Sequence, residues 1–95
     1  MHIITVTLTA KNPEDAPKLA GLLAEQGRLS RAEPGCIQFD VCQSQSDPAV
    51  FFLLERWDRK ESWEVHRTAR SYTEIYQPQV IPLVDRVAHV CQILT

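Results

Sequence analysis

Glu55, Trp57 and His66 are the residues of this 95-residue chain whose types and spacing best suit chemistry, since they set a carboxylate, an indole and an imidazole where a strand turns into a helix. Within Val50–Trp57 a period of two places Phe51, Leu53, Glu55 and Trp57 on one face, so an acid closes an otherwise apolar row. Such a carboxylate needs a partner. By the i, i+3, i+4 rule Trp63, His66 and Arg67 lie on roughly one side of the following helix, and His66 then folds back toward the sheet that carries Glu55. An imidazole ordinarily titrates near pH ~6.5, so a Glu55–His66 pair beside two indoles is a candidate for proton transfer. The same pair equally reads as a hydrogen-bonded tie between helix and sheet, because buried polar groups require partners whether or not they react. For Trp57 and Trp63 ordinary core packing stands beside a pocket role.

The elements that must position these side chains emerge from local pattern. Ile3 to Thr9 alternates Ile4, Val6 and Leu8 with a more polar set, which predicts a half-buried first strand. Asn12-Pro13-Glu14-Asp15 starts a helix, with either Asn12 or Asp15 as its cap given Pro17. Ala16, Leu19, Ala20, Leu22, Leu23, Gln26 and Leu29 form its buried stripe, and Glu33-Pro34-Gly35 stops it. Cys36 to Gln43 reads as a second strand, with Ile37, Phe39 and Val41 opposing Cys36, Gln38, Asp40 and Cys42. The Asp47-Pro48 turn joins it in a hairpin to Val50–Trp57. Asp58 to Glu61 resembles a capping box at the start of a helix that ends at Arg67. A second short helix runs from Thr68 to Tyr76, with Tyr72, Ile75 and Tyr76 on one side, and Pro78 and Pro82 loosen the segment after it. The closing strand spans about Arg86 to Leu94. Strand, helix, strand, strand, helices, strand is the order of the ferredoxin-like split βαβ: an α+β fold with a four-stranded antiparallel sheet and its helices on one face.

Size and charge narrow the function classes. Ninety-five residues make one domain, 1–95, which buries roughly 60–70% of its unfolded surface, enough for one sheet covered on one side. The strand Val50–Trp57 is apolar on both faces, Phe51 and Leu53 opposing Phe52 and Leu54, so its uncovered side calls for a second copy packed sheet on sheet. A homodimer is expected. With a net charge of −2 and scattered Lys and Arg, no electrostatic footprint for nucleic acid or an anionic membrane exists. The start lacks a basic, then apolar, leader and no run approaches a membrane span, which predicts a cytoplasmic protein. Cys36, Cys42 and Cys91 lack metal-ligand spacing and read as small buried hydrophobes, with no metal site. His2 and His89 are set aside, one terminal and one alternating with core residues; Arg67 and Arg70 read as solvated helix charges unless a substrate is anionic.

Glu33-Pro34-Gly35-Cys36, Phe39, Asp47-Pro48, the strand Phe51-x-x-x-Glu55-x-Trp57, the helix ending in His66 and the following Tyr72 together resemble the antibiotic biosynthesis monooxygenase family over nearly the whole chain. The resemblance implies a dimeric α+β barrel in which two sheets pack face to face. It implies a cofactor-free, quinol-monooxygenase-like enzyme that oxidises a small aromatic or polycyclic phenol or quinol with molecular oxygen. In that reading His66 takes the phenolic or benzylic proton, Glu55 orients it, and Tyr72 donates a hydrogen bond to the developing oxyanion. Trp57, Trp63, Phe39 and Tyr76 bind the planar substrate. A haem-degrading branch would place asparagine, tryptophan and histidine at positions that correspond here to Thr7, His66 and Tyr76, and none matches. An isomerase-like branch acting on small phosphorylated signalling sugars finds Arg67, Arg70 and His66, and a non-catalytic binding protein for an aromatic metabolite also fits the pattern.

Overall fold

The computed structural model describes residues 1–95. Four strands, β1 (His2–Ala10), β2 (Cys36–Gln43), β3 (Val50–Trp57) and β4 (Val84–Cys91), form one antiparallel sheet in the order β2-β3-β1-β4. Three helices, α1 (Ala16–Arg31), α2 (Lys60–His66) and α3 (Ser71–Val80), lie on one side of it, giving the expected ferredoxin-like α+β fold. None is long and apolar enough to cross a membrane.

The core is the face between sheet and helices. β1 contributes Ile4, Val6 and Leu8, and β3 contributes Phe51, Leu53 and Trp57, all at most 3% exposed; α1 meets them with Ala16, Leu19 and Leu23. Burial along β3 alternates without a break, so Glu55, 6% exposed, sits in the apolar row as its period requires. Opposite it, Phe52 and Leu54 remain more than a third exposed on a face that no element of the chain covers.

Four local expectations give way to specific geometry. A β-bulge between Cys36 and Gln38 shifts the register of β2, so Ile37 faces solvent at 55% exposure instead of joining Phe39 and Val41. The same shift puts Cys36 opposite Trp57, while Cys42 lies opposite Phe52 and is exposed, so the two cysteines do not share a face and Cys42 is no buried hydrophobe. Asn12 does cap, but it caps a separate 3₁₀ turn (Pro13–Asp15) by accepting from the Glu14 N–H, and α1 starts after Asp15 with Pro17 in its first turn. The capping box is absent: the Asp58 carboxylate accepts from Ser62 Oγ at 2.5 Å, not from backbone N–H groups, and α2 starts later, at Lys60.

α3 also runs four residues further than its sequence suggests. Pro78 would clash with a carbonyl one α-helical turn back, but α3 is wound with i→i+5 bonding, which widens the turn and takes the ring without ending the helix. β4 starts and stops earlier than expected, and Gln92–Thr95 lie beyond it.

Candidate functional site

The side chains singled out in the sequence do converge, at the end of the sheet where β3 runs into α2. Trp57 packs on His66 with ring centroids 4.7 Å apart. Phe39 and Tyr72 flank the imidazole at 5.8 and 5.9 Å, and Tyr72 leads on to Tyr76 at 5.3 Å. Arg67 lies over both Trp63 and Tyr72, 5.2 and 5.7 Å from their centroids, a cation over π faces with no carboxylate partner of its own. Phe39, Trp57 and Tyr76 are fully buried and make the floor of the cluster, whereas Trp63 and Tyr72 are half-buried and make its outer wall.

The expected Glu55–His66 hydrogen bond is not formed. Glu55 Oε1 instead accepts from the indole N–H of Trp57 at 3.1 Å, a partner two residues along the same strand face. Burial pushes the Glu55 carboxyl up from its ordinary value, and this outweighs the Trp57 hydrogen bond and the nearby His66 and Arg86 charges, which favour its ionised form. His66, 3% exposed, takes its carboxylate from elsewhere: Nδ1 lies 2.6 Å from Glu33 Oε1. Ser71, at the N-terminus of α3 and fully buried, donates its hydroxyl proton to the other oxygen of Glu33 at 2.5 Å and stands 3.4 Å from Nδ1.

Glu33 reaches His66 because of the turn that carries it. Gly35, with φ of 81°, reverses the chain between α1 and β2 and gives its carbonyl to the Asp58 N–H at 2.8 Å, which locks this turn against the β3–α2 junction. In the sequence Glu33 reads as part of a helix stop and of the stretch that carries the family resemblance, with no role at the site, and Ser71 falls unremarked within the Thr68–Tyr76 helix. An acid immediately before a Pro-Gly turn, beside a β3–α2 junction rich in site residues, was the available signal for Glu33. Ser71 carried none.

A third residue that sequence reading passed over is Arg86. From β4 its Nε donates to the Tyr76 hydroxyl at 2.7 Å, with the guanidinium 5.8 Å from that ring. Burial pushes the Tyr76 phenol up, against the pull of Arg86. Arg70, weighed with Arg67 as a ligand for anions, is instead paired with Glu74 at 2.6 Å. His2 packs on Trp63 at 5.0 Å, so it borders the cluster despite its terminal position.

No cavity opens at His66. One cleft of about 390 Å³ lies between α1 and the β2 edge, lined by Ala20, Gly27, Arg31, Val41 and Phe51, and one of about 200 Å³ lies beside the start of α2. No group of three or more His, Cys, Asp or Glu side chains is placed to hold a metal ion. The thiol of Cys36 is pushed up to about 11 by burial and by the Glu33 and Glu55 charges, which makes it a poor nucleophile.

Comparison with known proteins agrees with this architecture. A crystal structure of an antibiotic biosynthesis monooxygenase superimposes with a TM-score of 0.90 at 21% identity, covering 100% of both chains. A Pseudomonas aeruginosa protein gives 0.89 at 25% identity over 99% of this chain and 94% of its own. A Mycobacterium tuberculosis protein gives 0.85 at 24% identity over 100% and 97%. No curated protein matches. The sequence model of the antibiotic biosynthesis monooxygenase family matches residues 1–77, which includes β1 to β3, Glu33, Glu55, His66 and Tyr72. The chain belongs to the antibiotic biosynthesis monooxygenase family.

Proposed function

We propose that the protein is a cofactor-independent monooxygenase that oxidises a small aromatic or polycyclic phenol or quinol with molecular oxygen. The observation that carries the reading is a buried imidazole, held by a carboxylate on one side and enclosed by Trp57, Phe39 and Tyr72 on the others. His66 takes a proton from the substrate, and the resulting anion is electron-rich enough to pass one electron to oxygen. Radical and superoxide recombine at the ring carbon, the peroxide takes the proton back from His66, and loss of water leaves a carbonyl, with one oxygen atom in the product and one in water. A dry, aromatic surround favours each step by keeping the anion and the peroxide from bulk water.

The substrate enters from the outer wall. Tyr72, the half-buried ring against the imidazole, gives way to a planar molecule that stacks on it and on the half-buried Trp63, and its hydroxyl donates a hydrogen bond to the developing oxyanion. Glu55 acts at one remove, through the Trp57 indole that packs on the imidazole. The working unit is a homodimer, in which a second copy covers Phe52 and Leu54 of the open sheet face.

Oxygen uptake by the metal-stripped protein tests this reading against a panel of quinols, anthrones and dihydroxynaphthalenes, with His66→Ala and substrate autoxidation as controls. Uptake that requires His66 supports it; uptake no faster than autoxidation across the panel removes it. A second reading, turnover of a small phosphorylated sugar, draws on Arg67, which has no acidic partner; it predicts that Arg67→Glu abolishes turnover of such a sugar.

A further inference from the structure

We infer that Glu33 and Ser71 are positioning residues that hold His66 in the tautomer with its proton on Nδ1, leaving Nε2 as the atom that accepts the substrate's proton. A carboxylate offers acceptors only. One Glu33 oxygen faces Nδ1 at 2.6 Å, and the other takes the Ser71 hydroxyl proton at 2.5 Å. With that proton committed, Ser71 Oγ, 3.4 Å from Nδ1, has only lone pairs to turn toward the ring. Both neighbours of Nδ1 therefore accept, and only an N–H at Nδ1 satisfies them. His66 is 3% exposed and Ser71 fully buried, so bulk water does not compete for these bonds.

Nε2 lies on the opposite edge of the ring and has no hydrogen-bond partner in the chain. The placement differs from a serine–histidine–carboxylate triad, in which hydroxyl and carboxylate sit on opposite ring nitrogens. Here both sit on the same nitrogen and the serine proton points to the acid, so Ser71 is no nucleophile. Its part is to fix the carboxylate that fixes the ring. Glu55 does not take that part: it makes no hydrogen bond to the imidazole, and its Oε1 accepts from the Trp57 indole.

The inference rests on the proposed function only in assigning the substrate's proton to Nε2; the tautomer is measurable without substrate. Long-range proton–nitrogen correlation spectra of protein labelled with ¹⁵N-histidine, at a pH where the ring is neutral, distinguish the two forms. The wild type is expected to show a single Nδ1–H form for His66, the opposite of the preference of free imidazole side chains. Glu33→Gln keeps the size of the side chain but can present either amide oxygen or nitrogen to Nδ1, so both tautomers should appear; Glu33→Ala should revert to Nε2–H. With an active substrate, both variants should lose about tenfold or more in kcat with KM little changed. A wild-type Nε2–H form, or an unaltered Nδ1–H form in both Glu33 variants, overturns the inference. The expected tautomers together with no oxygen uptake by the wild type would leave it standing and remove the oxygenase reading instead.

Discussion

At the scale of single residues, the carboxylates at this site divide their tasks by environment. Glu33 reaches the site from a turn and binds His66 directly; Glu55 is sealed in the apolar row of β3, with an indole N–H as its hydrogen-bond donor. Burial raises the Glu55 pKa above the 4.5 of an ordinary glutamate, so the folded state resists ionising it. Below pH ~4.5 the group is protonated in both folded and unfolded chains and costs nothing. As pH rises above that value the unfolded chain ionises first, the folded state holds more protons, and stability falls until Glu55 ionises in the fold as well. Glu55→Gln removes this penalty while keeping an acceptor for Trp57. Its urea midpoint relative to wild type should therefore climb as pH rises above about 4.5, and a difference that does not change with pH would show that Glu55 is not held against ionisation. For His66→Ala the expected loss in oxygen uptake is 10²-fold or more, roughly the contribution of a positioned general base, with the fold retained by circular dichroism. The sequence disclosed that Glu55 faces inward, since that is a local matter of strand period. It did not disclose which acid binds His66, because Glu33 and His66 are 33 positions apart and only the sheet order brings their elements together.

At the scale of elements, the α1–β2 turn is the piece on which the site depends most. Gly35 has φ of 81°, and a Cβ there would run into the side chains of Ser62, in the first turn of α2, and of Asp58, just before that helix. Gly35→Ala should therefore destabilise the protein by roughly 1–3 kcal/mol in urea titration, through both backbone strain and the displaced helix. It should also loosen Glu33 from His66, two residues upstream. A variant as stable as wild type would show that the turn yields without strain. Gly27 is the quieter counterpart on α1, where a Cβ would stand 3.0 Å from Val41 Cγ2 and hold the helix off β2. Strand and helix existence was legible throughout, because the apolar stripe of α1 and the alternation of β1 and β3 are strong periodic signals. What escaped the sequence is where periodicity is broken on purpose: the bulge that turns Ile37 out, the widened helix that takes in Pro78, and the Ser62–Asp58 bond that replaces a capping box.

At the scale of the whole molecule, the sheet has one finished face and one open one. The helices cover Ile4, Val6, Leu8, Phe51 and Leu53 almost completely, whereas the other face carries Phe52 and Leu54, each more than a third exposed, with Val87 at 55% on β4. Register aligns Leu54 with Thr5 and His89 across the centre of that face, and Phe52 with Thr7 and Val87 in the next row. On the β2 edge Asp40 ends the Leu54 row and Cys42 the Phe52 row, but the centre made by Phe52, Leu54 and Val87 is apolar enough to pack against its own copy about a two-fold axis, with Asp40 left at the rim. Leu54→Asp separates this reading from a monomeric protein. In a monomer the aspartate would face water and stability would move by no more than about 0.5 kcal/mol. In a dimer it would place two like charges, one from each copy, in a dry interface, at a cost of several kcal/mol. Sedimentation velocity should accordingly find wild type at twice the 10.8 kDa chain mass and Leu54→Asp at the chain mass, still folded. A monomeric wild type would remove the dimer, and a variant that stays dimeric would move the interface off this face. Because the His66 cluster lies on the opposite, helix-covered side, a folded monomer should keep a detectable share of any oxygen uptake, losing rate only as far as the partner stiffens the sheet beneath Glu55 and Trp57.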